Sequence, residues 1–207
     1  MKKSKLKCAL VMMVVVLLLL IYIVINAKDT LLIDQTAINV MKTIRSDFLT
    51  TLFKYITYLG NYYVLLIIDI IVCLILVFKY KNYKLAFISL LSLCIAGIMT
   101  YILKIIIVRP RPEYMLIKES GYSFPSGHTL NSTALYGFIA FLIYKNIKKK
   151  RYVPILIGGL IIFIIGLTRI YLNVHYLTDV LGGLIIGIIH LIILINIFRN
   201  VGCKYEI

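Results

Sequence analysis

Six long apolar runs constrain this chain more than any other feature of its sequence. They cover residues 9–25, 62–78, 85–108, 129–144, 153–168 and 178–198. A helix crosses the hydrocarbon core of a bilayer with about 20 predominantly apolar residues. Of the 207 residues, 62% are hydrophobic, against roughly 45–50% in a soluble domain. The expected fold is all-α: a six-transmembrane helix bundle with an amphipathic interfacial helix between the first two spans. No internal repeat or low-complexity linker interrupts it, so residues 1–207 read as a single membrane domain.

The amphipathic segment is residues 29–60. Met41, Ile44, Phe48, Leu52, Tyr55 and Leu59 recur at helical spacing, with Lys42, Arg45, Asp47 and Lys54 between them. Such a helix lies at the membrane interface or packs on the bundle, and no chemistry is evident in it. The run at 9–25 follows Lys2, Lys3, Lys5 and Lys7. It is long for a signal-peptide core, and Asn26-Ala27-Lys28 is a poor cleavage site, so it reads as an uncleaved first helix. Cys8, Cys73, Cys94 and Cys203 are scattered without metal-ligand or disulfide spacing and read as packing residues.

The net charge is +15. Much of the basic charge lies between apolar runs, which suits orientation in a membrane and contact with anionic headgroups. No aromatic-basic module accompanies it, so nucleic acid is not an expected partner. An alternating path puts the N-terminal lysines on one side with Lys79, Lys81 and Lys84, with Lys145, Lys148, Lys149, Lys150 and Arg151, and with Arg199 and Lys204. By the positive-inside rule that side is the cytoplasm. The loop 109–128 and the turn 169–177 then share the outer face.

Three stretches at the ends of apolar runs carry groups suited to phosphate chemistry. Lys104 lies in the last turn of its run, seven residues before Arg111-Pro112. A lysine there is either a functional cation or one that snorkels to the interface. Arg111 offers a planar fork matched to phosphate oxygens, or is an ordinary loop arginine. Pro125-Ser126-Gly127-His128 opens the next helix. Free amides at a helix start bind anions, Ser126 adds a hydroxyl, Gly127 permits close approach, and His128 can give or take a proton. In the third stretch, Arg169 precedes His175 and Asp179. Four residues of helix would put the carboxylate on the face of the imidazole, fixing its tautomer and leaving the other nitrogen free to attack. A plain helix-surface pair would have the same spacing. Gly182, Gly183 and Gly187 suit close helix packing. His190 and Asp69 read as bundle residues, and Glu113 and Glu119 as solvated loop charges.

Taken together, these residues resemble the type 2 phosphatidic acid phosphatase family, which shares its core with vanadium haloperoxidases. The resemblance rests on Lys104–Arg111-Pro112, Pro125-Ser126-Gly127-His128 and Thr168-Arg169–His175–Asp179, and spans about residues 62–198. Thr168 stands where the family usually has serine. The resemblance implies a lipid phosphatase without cofactor or metal, acting on undecaprenyl diphosphate, phosphatidylglycerol phosphate or phosphatidic acid at the extracytoplasmic face of the cell membrane. It implies that His175 attacks phosphorus, Asp179 orients it, and His128 protonates the leaving oxygen. Lys104, Arg111, Ser126, Gly127 and Arg169 would hold the phosphate. Two alternatives stay open at this point: a phosphotransferase using the same histidine, and a non-catalytic lipid-phosphate-binding protein.

Overall fold

The structure, a computed structural model, describes residues 3–27 and 30–200; Lys2, Lys28, Asp29, Cys203 and Lys204 lie outside the described residues. Its regular elements are helical: α1 (Lys3–Asn26), α2 (Leu32–Thr43), α3 (Asp47–Ile56), a 3-10 turn at Thr57–Gly60, α4 (Tyr62–Phe78), α5 (Tyr83–Ile107), α6 (Gly127–Asn146), α7 (Tyr152–Tyr171) and α8 (Leu177–Asn200). By length and composition, α5, α7 and the Leu177–Asn196 stretch of α8 can each cross a membrane. Asp47–Gly60 and α4 meet at a 52° bend and would count as a fourth crossing if taken together.

α6 forms the middle of the bundle and packs against α4, α5, α7 and α8. That position explains why it is less apolar than its neighbours. Thr129, Asn131, Ser132 and Thr133 are buried against protein, along with Leu130, Ala134, Leu135 and Phe138. Small residues let α8 come close. A Cβ on Gly183 would lie 2.6 Å from the Ser126 carbonyl oxygen, and one on Gly187 would lie 2.6 Å from Thr133 Cβ. The backbones at the start of α6 and in α8 therefore meet without intervening side chains.

The segment expected as one amphipathic helix is broken into α2, α3 and the 3-10 turn. Ser46 makes the break. It is extended (φ −148°, ψ 160°), and its hydroxyl accepts from the Leu49 N–H at 3.2 Å, capping α3. The expected apolar stripe faces largely outward, with Phe48, Tyr55 and Leu59 exposed. Met41 of that stripe, with Leu49 and Phe53 from outside it, packs against Tyr171, Leu172 and Val174 at the α7–α8 turn. The Phe53 and Tyr171 rings meet edge to face, 4.6 Å between centroids. This segment thus covers the end of the bundle where α7 turns into α8.

Candidate active site

The three motif stretches meet at that same end. α5 stops at Val108, which adopts the left-handed conformation (φ 54°) two residues before Pro110. Such a residue followed by proline ends a helix sharply. The chain then runs as a loop to Ser126, the residue before α6. The loop is stitched to the α7–α8 turn: Leu116 N–H donates to Leu172 O at 3.0 Å, and Asn173 Nδ2 donates to the Glu113 carbonyl at 2.5 Å. Asn173 is itself left-handed (φ 55°), a conformation its short amide side chain tolerates.

His175 lies in that turn and is 2% exposed. Its Nδ1 is 3.4 Å from Asp179 Oδ2, and its Nε2 is 3.2 Å from Arg111 Nη1. A ring with its proton on Nδ1, directed at Asp179, keeps the Nε2 lone pair, to which Arg111 donates. Burial depresses the His175 pKa to about 4, against the raising effect of the Asp179 carboxylate; nearby Arg169 lowers it further. The ring is therefore neutral near pH 7.

Asp179 sits in the first turn of α8, where the helix dipole favours negative charge. It has no exposure and is held from every side. Arg109 Nη1 donates to Oδ1 at 2.5 Å, Tyr176 N–H donates to Oδ2 at 2.8 Å, and the Ser123 hydroxyl also donates to Oδ2. Arg109 is itself buried. Its other nitrogen donates to Asp34 Oδ2 at 2.7 Å, and its guanidinium lies 4.1 Å from the centre of the Tyr176 ring. Asp34, at the start of α2, also accepts from the Thr178 N–H at 2.9 Å and from its hydroxyl at 2.8 Å.

The cations surround His175. Arg111 donates to the backbone oxygens of Ser120, Gly121 and Val174 as well as facing the ring. Arg169, fully buried in the last turn of α7, donates to Thr57 Oγ1 at 2.7 Å and pairs with Glu119. Lys104 Nζ reaches the carbonyls of Tyr122 and Ser123. The expectation that Glu119 is a solvated charge does not hold, since it is drawn inward between Arg169 and Arg111, 3.8 Å from the latter. Burial opposes its ionisation, but Arg169 and then Arg111 outweigh it and hold the carboxyl below its usual range. Glu119 sits where two guanidinium groups can share one anion, the arrangement a phosphate would require.

Ser126 is fully buried; its N–H donates to the Asp179 carbonyl at 3.0 Å and its hydroxyl accepts from Thr129. Gly127 opens α6, and a Cβ there would lie 2.9 Å from Thr100 Cγ2, so a side chain would force α5 and α6 apart. His128 is one residue into α6, half-buried, beside Gly60 and in the same cavity as Arg169. Thr168 donates to Ile165 O of its own helix at 2.6 Å. His190 pairs with Ser92 and Asp69 with Ser89 inside the bundle. Four further residues of the site, Arg109, Asp34, Ser123 and Thr57, belong to none of the three motifs. A signal existed only for Arg109, in the doubled Arg-Pro step Arg109-Pro110-Arg111-Pro112.

Two of the cavities at this end reach residues of the three motif stretches. A groove of about 600 Å³ between α4 and α5 is lined by Tyr62, Gly97 and Tyr101 and reaches Lys104. A polar cavity of about 360 Å³ is lined by His128, Arg169 and Glu119. A third space, about 580 Å³ between α6, α7 and α8, is almost wholly apolar and holds none of the charged groups.

A model of the PAP2 superfamily matches residues 85–203. Phosphatidylglycerophosphatase B of Bacillus subtilis (strain 168) is 35% identical over 153 residues, covering 70% of this chain and 73% of its own. Undecaprenyl-diphosphatase BcrC of the same organism is 34% identical over 102 residues, covering 46% and 49%. Among solved structures, the transmembrane PAP2 type phosphatidylglycerolphosphate phosphatase from Bacillus subtilis superposes with a TM-score of 0.86 at 28% identity, over 93% of this chain and 96% of that one. With its apolar helices and this transmembrane neighbour, the chain is a multi-pass membrane protein.

Proposed function

Since the chain belongs to the PAP2 superfamily and is a phosphoric-ester hydrolase of that family, we propose that it removes a phosphate from a lipid phosphomonoester or diphosphate at the outer leaflet, through a phosphohistidine. The observation that carries this reading is the imidazole of His175, with Nδ1 on Asp179 and Nε2 turned to a guanidinium. In the first step Nε2 attacks phosphorus, the bond to the leaving oxygen breaks, and His128 gives that oxygen a proton. In the second, water attacks the phosphohistidine with His128 as base. Inorganic phosphate leaves and His175 is restored. Lys104, Arg111 and Arg169 hold the phosphoryl oxygens, with Ser126 and Gly127 at the start of α6. A loose phosphoryl transition state asks mainly for positioning and electrostatic support, which fixed cations supply.

Six crossings by α1, α4, α5, α6, α7 and α8 fit this chemistry. They put α2, α3 and the motif end together on the face opposite the lysine clusters at 79–84 and 145–151. The groove between α4 and α5 opens beside Lys104 and suits a lipid chain approaching from the bilayer. The resulting unit is one membrane domain with its phosphatase core at about residues 62–198.

The test is inorganic phosphate release by detergent-purified protein from undecaprenyl diphosphate, phosphatidylglycerol phosphate and phosphatidic acid. Release from at least one supports the reading; release from none, or appearance of a new phosphoester in place of free phosphate, sinks it. Two further results are expected. Turnover should survive EDTA, because fixed cations meet the phosphoryl charge; loss on chelation restored by a divalent ion would contradict this. The pH profile should also carry the depressed basicity of His175. Its folded pKa of about 4 lies below the ordinary 6.5, so the free base persists through that interval and is lost only near pH 4. Rates corrected for substrate ionisation should therefore show no His175 protonation step near 6.5.

A further inference from the structure

The polar cavity beside His128 holds more positive charge than the scissile phosphate needs. Besides His128 and Arg169, its wall carries Lys54 from α3, Lys118 from the α5–α6 loop, and Asn61 and Tyr58 from the turn before α4. Among the described residues neither lysine makes an ion pair, and both are exposed. Glu119, the carboxylate on the same wall, is held by Arg169 and Arg111. Asn61 Oδ1 accepts from the Tyr63 N–H at 3.0 Å as the cap of α4, so its free amide group is the NH₂ donor. The wall therefore offers two unmatched ammonium groups and an amide donor, all suited to an anion.

Its position relates that anion to the reaction. His128 protonates the leaving oxygen in the reading above, so whatever is bonded to that oxygen enters the cavity His128 lines. Asn61 lines the cavity, and the next residue, Tyr62, lines the groove between α4 and α5. We propose that this cavity is a subsite for a second phosphate on the leaving group, held by Lys54 and Lys118. Substrates that carry such a group are then preferred over simple phosphomonoesters of a neutral lipid. The proposal rests on the phosphatase reading. Two sources share the chemistry: the inner phosphate of a lipid diphosphate, and the phosphodiester of phosphatidylglycerol phosphate. A volume of about 360 Å³ admits either.

The experiment compares matched substrates in mixed micelles: phosphatidylglycerol phosphate against phosphatidic acid with the same acyl chains, and undecaprenyl diphosphate against undecaprenyl phosphate. The Lys54→Gln/Lys118→Gln protein should lose about tenfold more kcat/KM on the doubly phosphorylated member of a pair than on its partner, as expected for a lost charge-assisted hydrogen bond. Lys54→Arg/Lys118→Arg should retain the preference. A differential loss in one pair only assigns the subsite to that source. Equal loss within both pairs would mean the lysines act on the scissile phosphate or the micelle surface, and that result, like no loss at all, overturns the subsite. If the unaltered protein releases phosphate from none of the four, the phosphatase reading itself fails, and the subsite with it.

Discussion

His175→Ala is expected to reduce phosphate release by at least about 10⁴-fold, since on the proposed mechanism it removes the nucleophile and not a supporting contact. No second imidazole shares its position. His128 lies on another element, and His190 pairs with Ser92 inside the bundle. The fold should survive, because the backbone N–H of His175 still donates to Arg169 O and the Arg109–Asp179 pair is untouched. Phosphate release, read beside gel filtration and circular dichroism, makes the comparison. Label retained on the unaltered protein after an alkaline quench, and absent from the variant, would identify the intermediate. A variant that stays folded and keeps more than about a tenth of the rate would mean that another group attacks phosphorus.

Arg109→Met should damage stability as well as turnover. The side chain is 9% exposed and bridges two carboxylates that have no exposure, Asp34 and Asp179. Removing one partner of a buried ion pair costs roughly 3–5 kcal/mol, because the remaining charges stay desolvated and unmatched. For a chain of this size that corresponds to an apparent Tm lower by roughly 10 °C. Adding Asp34→Asn removes one of the two stranded charges, so the double variant should melt higher than Arg109→Met alone. Thermal unfolding in detergent reads both effects. A single variant melting within about 2 °C of the unaltered protein would mean that the carboxylates find other partners.

The sequence made the helical architecture and the gathering of its three motif stretches legible for a simple reason. Apolar length and motif spacing are local properties, and the alternating path of the chain carries their ends to one side. Asp34 and Thr57 belong to a different case. Each lies in a segment whose visible pattern is an amphipathic stripe, and that stripe faces largely outward. What ties the segment to the site is one buried carboxylate and one hydroxyl, on Arg109 and Arg169. Single polar residues whose partners lie 75 and 112 positions away leave no periodic trace. In the sequence Glu119 looks like any exposed loop acid, and only folding sets it between two guanidinium groups.

The cluster of Asp34, Arg109, Thr178 and Asp179 also fixes an order of events during synthesis. Domains emerge and assemble from the N-terminus. Asp34 leaves the ribosome long before Arg109, and Arg109 before Thr178 and Asp179, which open the last helix. The junction can close only when α8 arrives. A chain made only as far as α7 holds Lys104, Arg111, His128 and Arg169 but has neither His175 nor Asp179. On the proposed mechanism, hydrolysis then waits for α8, which completes both the buried junction and the reacting pair.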